Sequence, residues 1–109
     1  MPTTKASGTQ SATTTHTLAT ITDAGVYQLF LDLNDMVSGD ILDVIVEYKV
    51  TSGGTTRQME KFTYLGDTLG SNKVVFSDIY SVVNEIVFKI SEVAGGTISV
   101  PWEIVQVDG

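Results

Sequence analysis

Cysteine is absent from this chain of 109 residues, which excludes a disulfide framework, a thiolate nucleophile and a zinc–thiolate centre. Packing, hydrogen bonds and any subunit contacts must then hold the fold. Cations are scarce: 6 Lys and Arg stand against 13 Asp and Glu, a formal net charge of -7. They are Lys5, Lys49, Arg57, Lys61, Lys73 and Lys89, each isolated from the others. Binding a phosphate backbone or an anionic membrane needs clustered positive charge, so neither is an expected partner. The single histidine, His16, lies among threonines with no signal of a rigid pocket, and general-base catalysis of the Ser-His-Asp kind is not expected. No apolar run approaches the roughly 20 residues of a membrane-spanning helix. The opening "MPTTKASGTQSATTT" also lacks the apolar core of a secretory leader.

What is present is turn chemistry and strand patterning. Residues 2–17 are almost entirely Thr, Ser, Ala, Gly and Gln. Such a segment buries too little apolar area to offset its own ordering entropy, so residues 1–16 read as an extended N-terminal arm. Residues 17–109 read as one domain. The clearest strand is "ILDVIVEYKV", residues 41–50, where Leu42, Val44, Val46, Tyr48 and Val50 alternate with Asp43, Ile45, Glu47 and Lys49. Further strands are expected from Leu18 to Ile21 and over 26–33, 55–65, 73–77, 85–93 and 97–107, while 78–84 is ambiguous between a helical turn and a bent strand. Val26 and Phe30 oppose Tyr27, Leu29, Leu31 and Leu33, which predicts a strand covered on both faces. Pro101 lacks an N–H and marks the last strand as an edge or a bulge. The pattern predicts an all-β, antiparallel β-sandwich of about seven strands.

Gly-Gly-Thr occurs twice, at 53–55 and 95–97. A phosphate loop needs a strand-to-helix transition and usually a lysine, and neither triplet has them. Both therefore read as hairpin corners where glycine supplies positive φ. Asp32, Asp35, Asp40 and Asp43 bring carboxylates together without calcium-loop spacing and read as turn caps and solvated strand residues. Paired carboxylates for acid–base work are not ruled out, but no pair stands apart. Trp102, the only tryptophan, shares its face with Ile98, Val100 and Ile104 and is expected in the core; the alternative is a sugar-stacking platform. Leu69, in the polar stretch 66–72, is expected to be exposed. No enzyme, cofactor or metal is indicated, and a structural subunit or binding module remains.

The stretches "TITDAGVY", "LDLNDM…GD", "YKV-SGGT-R" and the pair "PW" resemble small virion proteins of tailed bacteriophages encoded among head genes. That resemblance implies a capsid decoration (cement) protein on the virion surface, assembled in the host cytoplasm and bound to the major capsid protein and to copies of itself as a homo-oligomer. The arm and loop residues Thr3, Thr4, Thr13, Thr14, Thr15, His16 and Leu69 would then be the assembly interface. The alternative expectation is a carbohydrate-binding or host-adhesion β-sandwich module.

Overall fold

The alternating stretch at residues 41–50 settles the interior. In the computed structural model, which describes residues 1–108, it forms a strand whose Leu42, Val44 and Val46 are buried while the intervening side chains are partly solvated. Period-two alternation puts every second side chain on one face. In chain order the elements are β1 (Thr3–Ala12), β2 (Thr15–Ile21), β3 (Gly25–Asp32), β4 (Ile41–Lys49), β5 (Arg57–Leu65), α1 (Gly66–Leu69), β6 (Val74–Phe76), β7 (Tyr80–Val82), β8 (Glu85–Ala94) and β9 (Ile98–Gln106).

Two antiparallel sheets face each other. Sheet A has the order β1-β9-β3-β6, with β7 also pairing β3, and sheet B has the order β2-β8-β4-β5. The chain changes sheet at every connection except β4–β5 and β6–β7, the winding of a jelly roll. Inward side chains of both sheets build one core, in which Tyr27, Leu29, Leu42, Val46, Ile86, Phe88, Ile90, Val100 and Ile104 are almost wholly buried. Each large side chain buried this way contributes about 1.5–3 kcal/mol against exposure.

The fold class is the expected sandwich, but several details differ. Residues 3–12 are no free arm: they form β1, paired with β9 from Thr3↔Gln106 to Ala12↔Ile98. Apolar content could not announce this strand, because main-chain ladder bonds to β9 hold it and only Ala12 in it is buried. His16 belongs to β2, so the boundary at residue 16 falls inside a strand. β9 is accordingly interior to its sheet. It tolerates Pro101 because the β3 ladder ends at Leu31↔Trp102, one residue short of the proline. Ser99, whose N–H points to the same side, sends it to Asp35 Oδ2 instead (2.8 Å).

The two Gly-Gly-Thr stretches also part company. The first closes the β4–β5 hairpin, without positive φ at either glycine. The second is no hairpin: it carries the chain from β8 in sheet B to β9 in sheet A, with Gly95 at φ 99° against Asp40. Residues 78–84, ambiguous in sequence, supply strand β7, and α1 interrupts the expected loop at 66–72. Leu69 is buried, not exposed, because α1 turns it into the end of the core.

Candidate functional site

Parity within sheet A decides which side chains reach its outer surface. Leu29 lies opposite Ile104 and both are buried, so the next pair, Phe30 and Glu103, points outward. Phe30 is also paired with Phe76, and Asp32 with Val74. On the far side of β9, Ser7, Thr9 and Ser11 of β1 stand opposite Glu103, Pro101 and Ser99. The outer face of sheet A thus runs from a hydroxyl-bearing row on β1 to an apolar row on β6.

β6 is only three residues long and has no neighbour beyond it, which leaves Val74 and Phe76 62% and 63% exposed. The Phe30 and Phe76 rings are 6.0 Å apart at an interplanar angle of 40°. Two adjoining depressions open beside them and share Asp32 and Pro101. One, of about 210 Å³, is lined by Phe30, Val74, Pro101 and Glu103 over the half-buried Trp102. The other, of about 220 Å³, is lined by Asn34, Asp35 and Ser99.

Each carboxylate along this groove is fixed through one oxygen. Asp32 Oδ1 accepts from the Asn34 N–H (3.0 Å), Asp35 Oδ2 from the Ser99 N–H (2.8 Å), and Glu103 Oε2 from the Thr4 hydroxyl (2.5 Å). Their other oxygens have no protein partner among the described residues. The groove is therefore an apolar, partly aromatic floor with oriented acceptors along its rim. A ligand offering hydroxyl or amide donors and an apolar face fits that chemistry.

The acidic set read from the sequence does not converge. Asp40 is buried and accepts from the Val37 N–H (2.9 Å), while Asp43 accepts from the Thr63 hydroxyl (2.6 Å) on the other sheet. Asp32 and Asp35 alone share a depression. The expected assembly residues have internal duties. Thr3 and Thr4 lie in the β1–β9 ladder. The Thr13 and Thr14 N–H groups and the Thr13 hydroxyl approach His16 Nε2 at 3.3, 3.4 and 3.1 Å, closing the β1–β2 turn. Thr15 donates to Ser91 (2.9 Å), tying β2 to β8. Trp102 packs against the core with its ring under Gly8, where an added Cβ would come within 3.2 Å, and is half-buried at the floor of the depression beside Phe30. Sequence reasoning missed the Phe30–Phe76 pair. The signal was the Val-x-Phe alternation of 74–76, which shows a face without telling that nothing covers it.

No family model and no curated protein matches the chain. Among solved structures it is similar to the Yersinia pseudotuberculosis-derived mitogen, at 15% identity and a TM-score of 0.61, over 100% of this chain and 90% of that one. At that identity the likeness bears on the fold. It corrects the reading of the chain as a capsid decoration protein: the shared architecture is that of a mitogen. The arm that was to clamp capsid subunits is, moreover, consumed as β1 in the chain's own sheet.

Proposed function

We propose that the protein is a non-enzymatic recognition module of the host-adhesion type that binds a neutral carbohydrate along the outer face of sheet A. The observation that carries the reading is the exposed Phe76 ring, paired with the half-buried Phe30, beside a groove whose carboxylates keep unpaired oxygens. A sugar ring presents an apolar C–H face that packs on an aromatic side chain, and its hydroxyls donate to carboxylates. Asp32, Asp35 and Glu103 are acceptors only when ionised, so an anionic ligand is disfavoured there and a polyhydroxylated neutral one is favoured. The similar Yersinia structure being a mitogen accords with a recognition role, as an analogy of fold alone.

The groove is shallow, so a single site should bind weakly, with Kd on the order of 0.1–1 mM, about -4 to -5.5 kcal/mol. A glycan array identifies the sugar, and titration of the purified protein measures it. Phe76→Ala and Asp32→Asn, both at solvated positions, should each weaken binding at least about tenfold, roughly 1.4 kcal/mol, without altering the fold. An array blank at millimolar glycan, or affinity unchanged in Phe76→Ala, would refute the assignment.

A further inference from the structure

The opposite end of the sandwich holds a second concave feature, built around the turn between β4 and β5. In that hairpin the register is regular from Ile41↔Leu65 to Val46↔Glu60 and then slips, so that Glu47 faces Gln58 and Tyr48 faces Arg57. Met59 is the extra residue. Without it Arg57 would lie opposite Lys49, on the outer face of sheet B. With it, Arg57 moves to the side of Tyr48, which continues the inward row Leu42, Val44 and Val46. A bulge re-aims a side chain in this way, and bulges gather next to functional sites.

There Arg57 meets a cleft of about 330 Å³ lined also by Tyr48, Val50, Thr51, Gly54 and Thr55. The surrounding loop is pinned. Glu85 binds Lys49 (3.7 Å) and the Thr56 hydroxyl (2.8 Å), Asn84 Nδ2 donates to Val50 O (2.8 Å), and the Tyr48 hydroxyl donates to Ser81 O (2.9 Å). Both oxygens of the nearby Glu85 are thereby taken. Among the described residues the Arg57 guanidinium and the Thr51 and Thr55 hydroxyls have no protein hydrogen-bond or ion-pair partner. Three donors without partners line one preformed cleft, in a protein where acidic groups outnumber basic ones by 13 to 6.

We propose that this cleft is an oxyanion-binding site, with Arg57 as the charged donor and Thr51 and Thr55 as hydroxyl donors. A guanidinium fork matches two oxygens of a carboxylate, sulfate or phosphate at once, and hydroxyls serve a third. The site stands apart from the groove on sheet A and does not depend on the reading given to it.

The test is a titration of the intact protein, observed through the Arg57 Nε–H and the Gly54 and Thr55 amide resonances. Sodium phosphate, sodium sulfate and sodium glucuronate are added at ionic strength held constant with sodium chloride. Saturable shifts confined to this loop are expected, at least tenfold weaker in Arg57→Gln and partly restored in Arg57→Lys. Saturation by phosphate and sulfate alone assigns the site to inorganic or ester oxyanions; saturation by glucuronate as well extends it to acidic sugars. Shifts that grow linearly with all three salts, or saturate equally in Arg57→Gln, overturn the proposal. Phe76→Ala serves as a control expected to leave these shifts intact, so the two sites fail or succeed separately.

Discussion

Gly95→Ala is the substitution whose cost is most directly worked from the structure. Gly95 has φ 99°, a conformation L-residues avoid, and an added Cβ would stand 1.9 Å from Asp40 Oδ1 and 2.9 Å from Asp40 Cα. Rotating the carboxylate away relieves the first clash and not the second, because Cα is backbone. Asp40 cannot move freely: its Oδ2 accepts from the Val37 N–H at 2.9 Å and its carbonyl accepts from the Gly66 N–H at 2.9 Å. Backbone strain of about 1–2 kcal/mol and loss of a charge-assisted hydrogen bond of about 1.5–3 kcal/mol sum to roughly 2.5–5 kcal/mol. For a chain of this length that lowers Tm by about 10–20 °C. The assay is urea unfolding at neutral pH with Gly96→Ala as reference, since Gly96 has no positive φ and open space around its Cβ position. Gly96→Ala should change stability by less than about 1 kcal/mol. Asp40→Ala shares the damaged contact, so the double variant with Gly95→Ala should cost about 1–2 kcal/mol less than the sum of the singles. A loss below about 1 kcal/mol in Gly95→Ala, or strict additivity with Asp40→Ala, would refute the reasoning.

Removing residues 2–12 should lower Tm by more than about 10 °C and drive association through the uncovered edge of β9, read by thermal melting and gel filtration; an unchanged Tm would show that β1 is dispensable. Asp67 is held below the ordinary carboxylate range by hydrogen bonds from the Ser38 hydroxyl and the Gly39 N–H, and Asp108 by one from the Val26 N–H. A carboxyl lowered in the folded state contributes stability above its unfolded value and loses it as pH falls through the folded one. Unfolding measured across acid pH should therefore show stability declining below about pH 4, and Ser38→Ala should move the Asp67 carboxyl titration upward. In Phe76→Ala the glycan affinity should fall at least about tenfold with Tm within about 2 °C of the parent, since the ring is mostly solvated.

Much of the sandwich was legible because its central strands bury one face and solvate the other. Of the face that the alternation in 41–50 names, Leu42, Val44 and Val46 are in the core, Tyr48 is half-buried, and Val50 lies past the end of the strand and is exposed. β1 was illegible for the opposite reason: a strand held by ladder bonds at a sheet edge needs no apolar pattern, and Thr-Ser-Gly composition reads equally as a tail. The second Gly-Gly-Thr looked like the first because both are glycine-bent corners, yet the choice between hairpin and crossing is made by distant pairing partners. Pro101 misled because the rule against proline inside a sheet concerns a missing N–H, and that N–H is missing only on the side where β3 has already ended. For the groove, the sequence exposed the alternation at 74–76 but not its sign. Whether Phe30 and Phe76 face core or solvent depends on whether another layer lies over sheet A, and no local pattern carries that.

The contrast between the two outer faces is what singles out sheet A. A jelly roll leaves the outside of both sheets to solvent, so exposure alone discriminates nothing. On sheet B the outward side chains answer one another. Lys89 pairs with Glu47 (3.0 Å), Thr63 donates to Asp43 (2.6 Å), and Thr15 donates to Ser91 (2.9 Å). Val87, on the same face, is buried beneath them. Asp43 and Glu47 nevertheless keep one oxygen each without a protein partner among the described residues, so acceptor chemistry alone does not separate the two faces. On sheet A the carboxylates, likewise oriented by one bond each, stand beside large apolar side chains open to water, Val74 and Phe76, where sheet B has the buried Val87. Water satisfies the oxygens there at no advantage to Val74 and Phe76. A ligand bearing both hydroxyls and a C–H face satisfies the two needs together, which is why the chemistry of this face, and not the fold around it, carries the functional reading.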